Sequence, residues 1–300
     1  MRIALATCST LPSHEHDDRP LHAALRGRGV TVEQPIWDDP GVDWSAFDAV
    51  LIRTTWDYHH KHAAFVAWAE RVGASVPLFN PAPVVAWNTQ KLYLRELEQR
   101  GVPLAETAWL DAGQPHDLRA IVRARSMTRG FLKPTLGANA RDTLRFDAHS
   151  EAELAAAQAH LTRVTATTGM MLQPYLGSVE RQGEVSAIYI DDVLSHAVRK
   201  VPVAGDFRVQ DDYGARDEAI ELDREQLEIC GQTLAALGSC VVAHGWSLQL
   251  PLLYARVDLL RDDDGRWVLN ELEIVEPSLF LRHGPTAAER LTHALLRRLG

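Results

Sequence analysis

Arg256, Asp258, Glu271 and Glu273 stand within one stretch, YARVDLLRDDDGRWVLNELEIVEP, from Tyr254 to Pro277. Residues 255–260 and 267–274 are apolar and β-branched enough for two strands. Asp262, Asp263, Asp264 and Gly265 between them carry hairpin-turn chemistry, Asp264-Gly265 most strongly. Side chains alternate faces along a strand, so Arg256 shares a face with Asp258, and Glu271 with Glu273. Where the two faces coincide, three carboxylates and one guanidinium meet on one patch. Like charges that close raise one another's pKa unless a cation neutralises them. Two Glu and one Asp form an oxygen-only donor set, suited to a hard ion, Mg²⁺ or Mn²⁺, that keeps waters and phosphate oxygens in its shell. The plainer reading is a solvated strand face with charges at period two.

A second group surrounds Lys133. In FLKPTLGANA, residues 131–140, a lysine ends a strand before a loop of small residues. Small side chains let backbone N–H groups close on a phosphate, and the lysine adds a point charge. The phosphate loop G-x-x-x-x-G-K is absent from the sequence. A third group, Arg53, Trp56, Asp57 and Tyr58, follows a strand at residues 49–53. These residues are expected to face a substrate, because ligands of parallel sheets gather beyond the C-terminal strand ends. Trp56 and Tyr58 as plugs of a domain boundary is the competing reading.

The elements that must position these groups alternate. Strands are expected at residues 2–7, 30–32, 49–53 and 77–79, with helices at 21–28 and 60–72, the pattern of an α/β unit with a largely parallel sheet. Pro81 and Pro83 read as a linker. A helix at 88–100, a strand at 107–110, a helix at 117–125, the strand at 131–133 and a helix capped by Ser150 and Glu153 follow. After 170–173 come strands at 184–190 and 194–201 joined by Asp191-Asp192, a mobile loop at 205–215, a helix at 223–237 and the hairpin. Thr286 and Glu289 are expected to cap a closing helix.

With 300 residues the chain has ample material for cores. Its 31 basic residues against 40 acidic ones leave a net charge of −9, which gives no reason to expect nucleic acid or an anionic membrane as partner. Cys8, Cys230 and Cys240 fit neither a disulfide framework nor a zinc pattern. With no signal-like start and no apolar run of spanning length, the expected location is the cytoplasm. A chain of this size is compatible with a monomer or a homodimer.

R-x-D on one strand, then E-x-E and Pro277 on the next, resembles the metal-binding end of the ATP-grasp ligases, the superfamily of D-alanine–D-alanine ligase and glutathione synthetase. Asn is usual there where this chain has Glu273. The resemblance implies an α/β (α+β) ATP-grasp fold: an N-terminal α/β domain over residues 1–82, a central lobe over 83–175 and a C-terminal lobe over 176–300, the two lobes clasping ATP. It implies that Lys133 and Lys91, with Gly137 in the loop, approach the phosphates; for Lys91 a solvated helix lysine is the alternative. It implies that Gln173, Tyr175 and Leu176 form the adenine hinge, where Pro174 departs from the usual acidic residue or lysine. Glu184 would take the ribose hydroxyls, with Glu180 as a competitor. Lys200, favoured over the adjacent Arg199, would lie near the γ-phosphate, and Arg208 would arrive when the loop 205–210 closes. Asp258, Glu271 and Glu273 would hold two Mg²⁺ or Mn²⁺ ions, and Arg256 would stabilise an oxyanion.

Such enzymes phosphorylate a carboxylate with ATP and let a nucleophile displace phosphate. The segments IRTTWDY, NPAP, VPVAGDFRVQ and ELEIVEPSLFL further resemble the stand-alone ATP-grasp group that includes the cyclo-ligase forming D-cycloserine from O-ureido-D-serine. A small amino-acid-like carboxylate, closing on itself or joined to an amine, is the implied substrate. An ATP-binding regulatory protein without turnover and a small-molecule kinase are the alternatives.

Overall fold

The computed structural model describes residues 1–11, 16–137, 140–209 and 214–300. Among the described residues three sheets follow one another along the chain. The first is parallel, β1 (Arg2–Thr7), β2 (Thr31–Glu33), β3 (Ala49–Thr54) and β4 (Leu78–Phe79), in the order β2-β1-β3-β4. β1 and β3 are almost continuously buried, as parallel strands covered on both faces must be. The closing helix Ala287–Leu299 returns to this sheet and packs Leu291 and Leu295 with Ile3, Leu21 and Leu25.

The second sheet is antiparallel, β5 (Ala108–Leu110), β6 (Arg129–Pro134), β7 (Leu144–Asp147) and β8 (Met170–Pro174), ordered β5-β8-β6-β7. The third, also antiparallel, holds β9 (Glu184–Ile190), β10 (Val193–Val201), β11 (Arg216–Ile220), β12 (Tyr254–Arg261) and β13 (Trp267–Glu273), ordered β11-β10-β9-β12-β13. Asp191 and Asp192, at φ 55° and 64°, turn β9 into β10 with the left-handed pair that matches strand twist. The helix Arg224–Ala243 is the one helix among the described residues long and apolar enough to cross a membrane. Its buried side chains, Ile229, Cys230, Ala236, Leu237 and Cys240, belong to the core that this sheet shares with the helix Tyr93–Gln99.

Several expected elements differ. The helix expected at 88–100 is confined to Tyr93–Gln99, and the expected linker instead forms a helix, Ala82–Asn88, with Pro81 at its N-cap and Pro83 in its first turn, where a missing N–H costs nothing. Ser150 accepts from the Glu153 amide, but the Glu153 carboxylate takes the Asp147 N–H instead of closing the box. Thr286 makes no side-chain cap, and the helix begun by Asp223 runs on to Ala243. β11 was hidden in a charged stretch, RDEAI, that only an exposed edge strand tolerates. Ala138, Asn139 and Gln210 of the two expected loops lie outside the described residues.

β13 is the opposite edge, and other elements cover it. The Leu269 N–H donates to the Pro103 carbonyl at 2.8 Å, Leu272 N–H to the Tyr93 hydroxyl at 2.9 Å and Ile274 N–H to Asn88 Oδ1 at 3.1 Å. Asn80 ties the first sheet to the third, its Nδ2 donating to the carbonyls of Tyr254 (2.9 Å) and Ile274 (2.7 Å).

Gly183, immediately before β9, has φ 75° and ψ −171°, a region essentially restricted to glycine. A Cβ there would lie 2.3 Å from the Lys200 carbonyl oxygen. Gly183→Ala is therefore expected to destabilise the protein by about 3 kcal/mol in denaturant unfolding, from backbone strain plus displacement of β10. A loss under about 1 kcal/mol would contradict that geometry.

Candidate active site

A cavity of about 330 Å³ opens between the second and third sheets and reaches the loop after β3. Its floor is the β12–β13 hairpin. Arg256 lies opposite Glu273 and Asp258 opposite Glu271, so the two expected faces coincide, and a bulge follows between Asp258 and Leu259. Because the bulge inserts a residue, Asn270 also lines the cavity beside Glu271. Alternation in the sequence gives no sign of Asn270. Its Nδ2 donates to Glu184 Oε2 at 2.5 Å, and its Oδ1 accepts from Lys133 Nζ at 2.8 Å.

The charges interlock. Arg256 donates to Asp258 through Nε (3.0 Å) and Nη2 (2.9 Å), and also contacts Glu273. Asp258 accepts from the Ser186 hydroxyl at 2.5 Å and lies 3.4 Å from Lys200, which also pairs with Glu184. Burial alone would raise Asp258, yet Arg256 and Lys200 hold its carboxyl well below the usual carboxylate range. Burial and Asp258 instead push Glu184 up, against the pull of Lys200. Burial pushes Glu273 up to about 7, helped by Asp258 and Glu271 as like charges and against the pull of Arg256 and Lys200. Glu271 is half-buried and 3.5 Å from Lys91.

The three carboxylates thus face one cavity, but each is closed on a cation. Among the described residues no three acids or histidines form a ready ligand group. As a donor set they fit a hard divalent ion. They are oxygen-only, crowded and half-buried or buried, and Glu273 is only partly ionised near neutrality without a further cation.

Lys91, Lys133 and Gly137 line the cavity. Lys91 sits in the turn between two helices rather than inside one, and its Nζ donates to the Gly137 carbonyl at 3.3 Å. Lys133 is held by Asn270 and the face of Phe131, and no carboxylate lies within ion-pair distance of it among the described residues. Burial lowers its pKa. Lys200 faces inward while Arg199 turns out to Glu218. Glu184 faces inward, whereas Glu180 pairs with Arg145 at 2.8 Å. Gln173, Tyr175 and Leu176 line the wall, with Gln173 Nε2 donating to the Thr107 hydroxyl at 2.9 Å. The Tyr175 N–H donates to the Arg129 carbonyl. Phe207 packs edge-on to Phe131 and Tyr175, bringing Arg208 to the cavity with its guanidinium on Asp206.

The loop after β3 divides. Trp56 and Tyr58 line the cavity, although Tyr58 also stacks on Phe65 in the core. Arg53 and Asp57 do not line it, which corrects the expectation that all four face a substrate. Arg53 is 2% exposed and forks onto Asp18 at 2.8 and 3.1 Å, and Asp57 accepts from Trp37 Nε1 at 2.7 Å. Glu276, Asp17 and Arg282 line this end and were not anticipated. Glu276 had one legible signal, an acid lodged between an apolar run and Pro277. Burial, with Glu273 as a like charge, pushes its carboxyl up to about 8.

Glu273 and Glu276 are raised above the ordinary value of 4.5. Each therefore contributes stability that is complete below about 4.5 and lost as pH rises through about 7 for Glu273 and about 8 for Glu276. The melting temperature without nucleotide is expected to fall from about pH 5 to about pH 8.5, and Glu276→Gln to flatten the upper part of that fall. Superimposable melting profiles of the two proteins would remove Glu276 from the explanation.

Residues 3–80 match the family described as D-cycloserine synthetase DcsG, N-terminal domain, and residues 112–244 match prokaryotic glutathione synthetase, ATP-grasp domain. The chain is 37% identical to the cycloserine biosynthesis protein DcsG of Streptomyces lavendulae over 314 residues, covering 99% of this chain and 98% of that protein. The crystal structure of D-cycloserine synthetase DcsG superposes with a TM-score of 0.89 at 33% identity, covering 100% of both chains. The ATP-grasp ligase PsnB, complexed with minimal precursor, Mg and ADP, superposes at 0.62 with 18% identity, covering 99% and 98%, which shows a shared fold.

Proposed function

The chain belongs to the ATP-grasp ligases, in the group of DcsG, and from the premise that it is an ATP-dependent ligase we propose that it activates a small amino-acid-like carboxylate for attack by an amine. The carboxylate oxygen attacks the γ-phosphorus and ADP leaves. The amine nitrogen then attacks the acylphosphate carbonyl, phosphate leaves with the C–O electron pair, and the nitrogen gives up a proton. The likeness to a D-cycloserine synthetase along the whole chain supports an amine within the same substrate, so that the product is a ring.

The observation that carries this reading is Lys133, a half-buried cation without a carboxylate partner among the described residues, a few side chains from three carboxylates. An anionic ligand would complete it, and its place at the end of β6 beside Gly137 suits phosphate. Lys91 and Lys200 would share the phosphate charge, while Gln173, Tyr175 and Leu176 would border the adenine and Glu184 the ribose. Arg208 would reach the γ-phosphate by leaving Asp206. Arg256, fixed by Asp258 and by the Ser278 carbonyl at 3.0 Å, would face the oxyanion of the tetrahedral intermediate. Asp258, Glu271 and Glu273 would hold Mg²⁺ or Mn²⁺, which when bound drains charge from the transferring phosphoryl group. We divide the chain accordingly into residues 1–82 for the substrate, and 83–175 and 176–300 as lobes clasping ATP.

Hydroxylamine added to protein, ATP, Mg²⁺ and a panel of amino acids tests the reading. An acylphosphate yields a hydroxamate together with ADP. ADP formed with a phosphorylated product and no hydroxamate would make the protein a kinase, and tight ATP binding without ADP across the panel would make it a binder.

A further inference from the structure

Among the described residues six carboxylates line the cavity: Asp17, Glu184, Asp258, Glu271, Glu273 and Glu276. Five have a cation within ion-pair distance. Asp17 has Arg282 at 3.0 Å, Glu184 and Asp258 share Lys200, Glu271 has Lys91 and Glu273 has Arg256. Glu276 has none among the described residues, and the one N–H reaching its carboxyl is its own. A half-buried carboxylate beside a like charge is unfavourable unless something positive joins it. Here no such partner stands within ion-pair distance among the described residues.

Its backbone is nevertheless held on three sides. The Glu276 carbonyl accepts from Trp56 Nε1 at 3.0 Å, the Pro277 carbonyl from Arg53 at 3.1 Å and the Ser278 carbonyl from Arg256 at 3.0 Å. So firm a mounting presets where the carboxylate points, the arrangement expected of a binding group. Trp56 and Tyr58 line the same cavity. The cavity therefore holds, among the described residues, one cation without a carboxylate at ion-pair distance, Lys133, and one carboxyl group without such a cation, Glu276.

We propose that Glu276 anchors the ammonium group of the substrate, so that the cavity selects amino acids over carboxylic acids lacking the amine. This rests on the ligase reading above for the substrate's carboxyl, but the ammonium contact stands on its own geometry. With ammonium on Glu276, the carboxyl end of a short amino acid is directed past Arg256 toward the phosphates.

The test is calorimetric binding with a non-hydrolysable ATP analogue and Mg²⁺ present, using a panel of D- and L-amino acids, O-substituted serines among them, each with its deaminated counterpart. In the wild type at least one amino acid should bind roughly 30-fold or more tightly than its counterpart, and Glu276→Gln should remove that difference. Affinity for the nucleotide and the Mg²⁺ dependence should not change, and Glu276→Asp should fall between. Gln is neutral at every pH and avoids the cost of protonating or burying the Glu276 carboxyl, so the variant is expected to melt no lower than wild type near neutrality, which excludes misfolding. The proposal is overturned if no amino acid outbinds its counterpart, or if Glu276→Gln weakens both equally. It is also overturned if binding is unchanged while turnover falls with a shifted pH profile, which would make Glu276 a proton acceptor. Hydroxamate formation on the same panel reports on the ligase reading separately: its absence alongside Glu276-dependent amino-acid binding would sink that reading and leave the anchor standing.

Discussion

Glu271→Gln is expected to slow ATP- and Mg²⁺-dependent phosphate release about a thousandfold while moving the melting temperature by only about 1–2 °C. Glutamine keeps the shape and one oxygen but loses the charge an ion needs. About 4 kcal/mol of lost transition-state stabilisation corresponds to that factor, since each 1.36 kcal/mol is tenfold. The small effect on melting follows from the contacts: Glu271 is half-buried and its ion partner, Lys91, stands at 3.5 Å, so the fold loses little. Glu273→Asn, which restores the residue more usual in the superfamily, is expected to keep part of the activity and to need more Mg²⁺. Wild-type turnover in Glu271→Gln would be incompatible with the carboxylate trio as an ion site.

What could be read from the sequence divides along a physical line. Period-two alternation in residues 254–273 put Arg256 with Asp258 and Glu271 with Glu273 on single faces, but it left open whether the two faces coincide, which the pairing register of the folded hairpin decides. The same reasoning chose Lys200 over Arg199 only through resemblance, since alternation says that one faces in without saying which. Asn270 was beyond reach because a bulge breaks the alternation on which the reading depends. β11 was beyond reach because an edge strand with charged side chains carries no hydrophobic period.

Ion pairing was the other hidden variable. Lys133 and Arg53 both close a run of strand residues before a turn, and the sequence treats them alike. Folding separates them: Asp18, distant in sequence, reaches Arg53, and no acid reaches Lys133 among the described residues. Which cation is left for a ligand is decided by tertiary partners, and local spacing does not encode them. The same holds for Glu276, whose isolation appears only once the cations serving its five neighbours are located.

That difference sets the second large expectation. Arg53→Met should lower the free energy of unfolding by about 3–5 kcal/mol, because Asp18, 2% exposed, would be left as a buried charge without its counter-ion. The double change Arg53→Met with Asp18→Leu should recover most of the loss, since an apolar pair of similar volume carries no desolvation cost. A substrate-contacting Arg53 predicts the reverse, with stability kept, activity lost and no rescue by the change at Asp18. Arg53 also holds the Pro277 carbonyl at 3.1 Å, so the rescued double mutant still lacks one of the three hydrogen bonds that mount Glu276. It should therefore regain its melting temperature yet bind an amino acid several-fold more weakly, with nucleotide affinity unchanged. Full recovery of both would mean that the Trp56 and Arg256 hydrogen bonds alone fix Glu276, and that Arg53 serves the fold without serving the site.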